Sequence, residues 1–344
     1  NDTWKVVLPN SFFGDFNPYS DVIGGEWYLT PRKHRFDHLT GMVYLNGEWI
    51  DEAKTLEQVL APTGERLCWK AKVEDNTTTI WAQFKGVDPN KELVEINVRQ
   101  SVFYPDQPGM NYITVRGFTM RQAATPWSGA MSEQIGLIGT HWSKGWIIED
   151  NVISHSMNTG ITLGRYDLPK RGVAMPEVSA PGFVKSCELA LEHGWSKEHI
   201  GSHVVRNNHI SHCEKNGIHG SLGGIFSTIE GNTICDITVQ GWIDGHDTGG
   251  LKLLGSHDVI IRNNHIYRTH GRAGIWIDWM AQGARVTGNL LHDNRKWDLF
   301  VEVNHGPFLV DNNIFLSKVN LLEASGGGAY AHNLFTGIIK LREE

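Results

Sequence analysis

Val204-Val-Arg-Asn-Asn-His-Ile210 returns as Ile260-Ile-Arg-Asn-Asn-His-Ile266, and the reading of this recurrence decides the fold. Looser copies stand at Ile147-Ile-Glu-Asp-Asn-Val-Ile153 and Thr228-Ile-Glu-Gly-Asn-Thr-Ile234, and three more are centred on Asn289, Asn313 and Asn333. From Asn151 onward the successive Asn positions are separated by 57, 24, 32, 25, 24 and 20 residues. The two long intervals hold insertions, which leaves a unit of about 24 residues. A fixed period in this range marks a solenoid, in which a single repeat cannot bury its apolar face and neighbours must stack to do so.

Each unit carries a second apolar run: Gly160-Ile-Thr-Leu, Gly217-Ile-His, Gly250-Leu-Lys-Leu-Leu, Gly274-Ile-Trp-Ile-Asp, Asp298-Leu-Phe-Val-Glu and Gly337-Ile-Ile-Lys-Leu. These runs are short, rich in Ile and Val, alternate with period two and are punctuated by Gly and Asn, so they read as strands. An Asn at the same turn of every unit suits a place where left-handed backbone recurs and side-chain amides can bond to the next unit. Leucine-rich repeats would need a different Leu spacing and helical segments, and propeller blades would need four strands in about 40 residues. The expectation is an all-β chain, a right-handed parallel β-helix with a small β-sandwich-like domain.

In such a helix equivalent positions of adjacent coils are sheet partners, about 4.8 Å apart. Aligning Gly274-Ile-Trp-Ile-Asp278 with Asp298-Leu-Phe-Val-Glu302 sets Ile275 over Leu299 and Ile277 over Val301, facing inward. Asp278 and Glu302 then share an outward column. Like charges opposed on a sheet are destabilising, and a paired carboxylate raises one partner's pKa, so the pair is a candidate catalytic dyad. With 38 Asp and Glu in the chain, a chance column of solvated acids is the competing explanation. Trp276, Trp279, Trp297 and Phe300, with Asn304 and His305 close by, favour the dyad, since aromatic faces beside polar groups suit sugar rings. Retaining glycosidases hold their carboxyl groups about 5 to 5.5 Å apart, which one coil of rise matches.

Gly274-Ile-Trp-Ile-Asp-Trp-Met-Ala-Gln-Gly-Ala-Arg-Val-Thr-Gly-Asn-Leu290 resembles the central signature of glycoside hydrolase family 120, β-xylosidases built on a parallel β-helix. His246-Asp-Thr-Gly-Gly-Leu-Lys-Leu253 resembles that family's substrate-pocket segment. The resemblance implies Asp278 as nucleophile, Glu302 as acid/base, and His246 and Asp247 near the bound sugar. Where it leads one to expect a pocket Glu, this chain has Asp247, one methylene shorter. Lys252, Trp276, Trp279, Gln282, Asn304 and His305 complete the expected substrate-binding set. The resemblance also implies a β-sandwich inserted near the helix's N-terminal end.

The first hundred residues lack the Asn repeat but carry turn-punctuated strands, including a hairpin signal at Asn46-Gly47 within Gly41–Ile50. Runs over 66–73, 78–84 and 93–98 continue the alternation, and a short helix is expected between Asp51 and Leu60. The expected division is 1–98 for this module and 99–344 for the β-helix. Between Arg165 and Ser202 an insertion with Pro169, Pro176 and Pro181 precedes Lys185–His193, which reads as a helix able to shape a binding face.

A chain of 344 residues with 40% hydrophobic content can bury a large core, and its formal charge of -7 with no basic run argues against nucleic acid as partner. No HExxH or paired CxxC occurs, so neither a metal nor another cofactor is expected. Cys68, Cys187, Cys213 and Cys235 are scattered and expected to be free thiols, weakly favouring the cytoplasm. No membrane span is visible, and Asn1-Asp-Thr-Trp does not read as a native start. The expected activity is a retaining exo-acting β-xylosidase on xylo-oligosaccharides, with self-association plausible. Two rivals stay open: a polysaccharide lyase or epimerase with Lys252 as base, and a non-catalytic carbohydrate-binding solenoid.

Overall fold

The computed structural model describes residues 2–32, 36–61, 66–165 and 179–342. Three parallel sheets of eight strands each run the length of a right-handed β-helix. One sheet carries Asn216–Ser221, Gly249–Leu254, Ala273–Asp278, Trp297–Glu302 and Val319–Ala324 side by side. The registers are those the repeat implies: Ile275 pairs with Leu299, Ile277 with Val301, and Asp278 with Glu302. Inward positions stack in columns, so that Ile161, Ile218, Leu251, Ile275, Leu299 and Leu321 follow one another through the core. Burying each such side chain stabilises the fold by about 1.5–3 kcal/mol before chain entropy is counted.

The recurrent asparagines form an unbroken ladder. Asn151, Asn208, Asn232, Asn264, Asn289 and Asn313 each donate Nδ2–H to Oδ1 of the next, at 2.9–3.0 Å, ending on Asn333. The same Oδ1 also accepts the preceding ladder residue's backbone N–H, as Asn232 does from Asn208, and the second Nδ2 hydrogen goes to a main-chain carbonyl, as from Asn232 to Val205. The left-handed residue falls one place earlier than the ladder Asn: Asp150, Asn207, Gly231, Asn263, Gly288, Asn312 and His332 all have φ between 53° and 66°. Asn at the ladder is therefore selected for its amide, and the residue before it for tolerance of that conformation.

The N-terminal stretch folds as a four-stranded sheet, in which Thr3–Pro9, Thr77–Gln83 and Cys68–Val73 are antiparallel and Asp51–Glu52 joins in parallel, with a three-stranded sheet beside it. In the latter, Val43–Leu45 turns into Glu48–Trp49 through Asn46 (φ 54°) and Gly47 (φ 87°), the hairpin that Asn-Gly signals. The helix expected between Asp51 and Leu60 is Leu56–Leu60. Tyr28–Leu29 pairs with Asp244–Gly245, sewing this stretch to a β-helix loop.

The helix expected in the insertion starts earlier than its apolar pattern, spanning Ala180–Glu192 with Ser179 Oγ accepting the Gly182 N–H at 3.1 Å and Pro181 in the first turn. Pro169 and Pro176 lie outside the described residues. All four cysteines are free, and because Ser211 pairs with Cys235, Cys213 sits two places out of line with it. No helix among the described residues is long and apolar enough to cross a membrane.

Candidate active site

Two outward columns of the sheet build the site. One runs His219, Lys252, Trp276, Phe300; the other runs Leu254, Asp278, Glu302, Ala324. Asp278 and Glu302 end their strands, and the chain turns away through Trp279 (φ 44°) and Val303 (φ 52°). Left-handed backbone at a β-branched residue is strained, and here it follows directly on a candidate catalytic side chain.

A cavity of about 470 Å³ opens over these columns, lined by Asp247, Lys252, Trp276, Asp278 and Glu302 at its base. Its rim comes from elsewhere: Trp27 from the N-terminal stretch, Ala130 and Met131 from a loop, Phe183 from the insertion helix, and His246, Arg272, Trp297 and Arg342. The Trp27 and His246 rings meet edge to face at 5.8 Å.

Charge is concentrated at the base. The Lys252 Nζ, almost wholly buried, sits 2.9 Å from Asp278 Oδ2 and also pairs with Asp247 Oδ1. It lies 3.6 Å over the Trp276 ring, whose other neighbour is Phe300 at 4.8 Å. Burial pushes the Asp278 carboxyl up to about 7; the Glu302 charge adds to this, while Lys252 opposes it. For Asp247 burial acts in the same direction, but Lys252, Lys215 and His219 outweigh it and hold that carboxyl well below the usual range. One ammonium thus serves two carboxylates. Beneath lies Lys215, buried, bonded to the Ser128 carbonyl and 3.2 Å from His219 Nδ1; burial pulls it down to about 7. Glu302 Oε1 pairs with Arg342 at 2.7 Å.

The carboxyl that burial raises is Asp278, the residue read from the sequence as nucleophile. Its side chain is deep, with Asp278 4% exposed, while the side chain of Glu302 is more open and faces the Arg342 guanidinium. His246, Asp247, Lys252, Trp276 and Trp279 line the cavity together with the pair. Gln282, Asn304 and His305 do not. Gln282 is exposed on a turn bridged to His257. Asn304 is buried as a structural amide, accepting from Ala281 N at 2.7 Å and donating to Ile277 O at 3.0 Å, and His305 borders an adjoining cavity of about 550 Å³ that shares Val303 and Arg342 with the first. Trp276 is only 3% exposed, with one face under Lys252, so its ring orients the ammonium and is not an open sugar platform.

Lys215 and His219 escaped the sequence reading, although Gly217-Ile-His219 aligned with Gly250-Leu-Lys252 already stacks His219 beneath Lys252. Trp27, Met131 and Phe183 carried no such signal, because long-range docking brings them in.

The insertion-domain model of glycoside hydrolase family 120 matches residues 1–96, and the right handed beta helix region model matches residues 198–337. The solved complex of XylC with xylose is similar over 99% of this chain at 41% identity and TM-score 0.90. The chain spans 56% of that protein's length. A GH136 lacto-N-biosidase from Eubacterium ramulus (10% identity, TM-score 0.42, 69% of this chain and 44% of that one) is too remote to bear on the site. So is a further glycoside hydrolase (10%, 0.44, 99% and 76%). No curated protein matches. The chain belongs to glycoside hydrolase family 120.

Proposed function

We propose that the protein is a retaining, exo-acting β-xylosidase that releases xylose from the ends of xylo-oligosaccharides. The observation that carries this is the pairing of Asp278 with Glu302 on adjacent strands, inside one cavity, one inter-strand distance of about 4.8 Å apart in the backbone, which is close to the carboxyl spacing of retaining enzymes. The xylose held by XylC, similar in sequence and fold, supports the sugar.

In the proposed mechanism Asp278 attacks the anomeric carbon while Glu302 protonates the departing oxygen. Glu302 then takes a proton from the water that hydrolyses the glycosyl-enzyme, and configuration is retained. Asp278 must be ionised to attack, and the Lys252 ammonium at 2.9 Å favours that form against burial. Among the residues lining the cavity, three buried polar atoms have no partner among the described residues: Asp278 Oδ1, Asp247 Oδ2 and Trp276 Nε1. Two acceptors and one donor beside the reacting position suit sugar hydroxyls. The rim supplied by Trp27 and Phe183 narrows the groove toward a pocket, which favours terminal units over internal ones. Asp247, shorter than the expected Glu, leaves more room at the base. Lys252 is a poor lyase base, since two carboxylates hold its proton and raise its pKa.

Hydrolysis of p-nitrophenyl β-xyloside by the wild type and by Glu302→Ala, with and without azide, tests the reading. Activity in the wild type and azide rescue of the variant to a β-configured glycosyl azide support it. Inert wild type across a panel of aryl glycosides rejects it.

A further inference from the structure

A second cavity, of about 560 Å³, adjoins the first and shares Arg272 with it. It is lined by Arg32, Arg272, Arg295, Lys296 and His270, with Asp244 as its carboxylate. Arg32 arrives from the N-terminal stretch, and the other cations come from the turns entering strands Ala273–Asp278 and Trp297–Glu302. Four cationic side chains converging in a chain of formal charge -7 run against the average field of the molecule. None of the four forms an ion pair among the described residues, and Asp244 Oδ1 is turned to its neighbour's Gly245 N–H. Arg272 is anchored by Nε–H donation to the Gly245 carbonyl at 3.1 Å, which holds its guanidinium between the two cavities. The crowding is felt on both sides: burial, then Arg272, Arg295 and Arg32, depress Lys296, and burial followed by Arg272 depresses His246 at the rim of the first cavity.

Surface arginines and lysines are ordinarily solvated and separated. A convergent, unpaired set in a concavity lowers its electrostatic energy by taking up an anion, and guanidinium groups favour planar carboxylates bidentately. Arg272 lies in the turn just before strand Ala273–Asp278, about 20 Å along the backbone from Asp278 at the usual rise, so the second cavity opens toward the opposite end of that strand from the dyad. We propose that this cavity is a subsite for a carboxylate-bearing sugar, a uronic acid branch on the same oligosaccharide whose terminal unit enters the first cavity. The assignment rests on the glycosidase reading for the identity of the main chain, and on the cation cluster alone for the charge of the branch.

The test compares specificity constants on xylotetraose and on xylotetraose carrying one glucuronic acid branch, for wild type, Arg295→Gln/Lys296→Gln and the charge-keeping Lys296→Arg. Calorimetric binding of both sugars, free glucuronate and inorganic phosphate to Asp278→Asn protein runs alongside. The expected result is a branched-to-unbranched ratio that falls roughly tenfold or more in the double Gln variant and declines with salt, with Lys296→Arg retaining it. An unchanged ratio overturns the proposal. So does phosphate or glucuronate binding through these residues as tightly as the branched sugar, which makes this a free-anion site. If the wild type turns over neither tetraose, the hydrolase reading fails by itself, and preferential binding of the branched sugar to Asp278→Asn still decides the subsite.

Discussion

Lys252 holds Asp247 and Asp278 together: its Nζ pairs with both carboxylates, at 2.9 Å from Asp278, with all three side chains almost fully buried. Removing the shared cation leaves two buried carboxylates uncompensated, a change that typically destabilises by about 3–5 kcal/mol. Lys252→Met is therefore expected to lower the urea midpoint markedly. In whatever folded protein remains, the acidic limb of the pH–kcat/KM profile moves to higher pH, because Asp278 loses the charge that favours its ionised form. An unshifted limb rejects the link between Lys252 and the nucleophile.

Asp278→Asn is expected to abolish turnover and keep the fold. Its effect on stability depends on pH with a defined direction. The Asp278 carboxyl lies near 7 in the folded protein against an ordinary 3.8, so the stability this group contributes is present below about 4 and is lost as pH rises through 7. The Asn variant lacks that loss, so its stability relative to wild type improves between pH 4 and pH 8 by a few kcal/mol. Denaturant midpoints of both proteins across this range check it, and parallel curves contradict the buried-acid assignment.

The asparagine ladder is accessible to a separate experiment. Asn232→Ala removes an acceptor used by both the backbone N–H and the amide of Asn208, and a donor used by Asn264 and Val205. At roughly 1–3 kcal/mol for each buried group left unpaired, the loss exceeds that of an isolated surface hydrogen bond several-fold. Asn333→Ala, at the described end of the ladder, is expected to lose less. Urea unfolding of the two variants compares them directly.

The aromatic residues divide by function. Trp276→Leu frees the ammonium above its ring and is expected to lower kcat, whereas Trp297→Ala, at the half-buried rim, is expected to raise KM with the smaller effect on kcat. Steady-state kinetics on xylobiose separates the two, and equal effects on both constants from both variants oppose this division.

What the sequence disclosed follows from what is periodic. The register of Asp278 on Glu302 and of Lys252 beneath Trp276 needed only an alignment of repeats, since sheet pairing turns sequence offset into spatial adjacency. His219 was legible by the same operation. Exposure within a column was not: the columns said that Trp276 and Asp278 point outward, but the rim from Trp27, Met131 and Phe183 covers them, and burial then raises the Asp278 carboxyl. Gln282, Asn304 and His305, near the pair in sequence, lie outside the cavity lining, since the strands end at Asp278 and Glu302 and left-handed residues at Trp279, Met280 and Val303 turn the chain.

The pairing of the two candidate catalytic residues one coil apart makes the β-helix a ruler for its own chemistry. Their backbone separation is fixed by the pitch of the solenoid, which every neighbouring strand and every rung of the amide ladder enforces, so it cannot be tuned gradually by loop movement. Adjustment is left to side-chain length. Aspartate facing glutamate, in place of two identical acids, is then the only fine control the scaffold permits over the gap in which the sugar carbon must move, and exchanging the two residues would test the gauge without touching its frame.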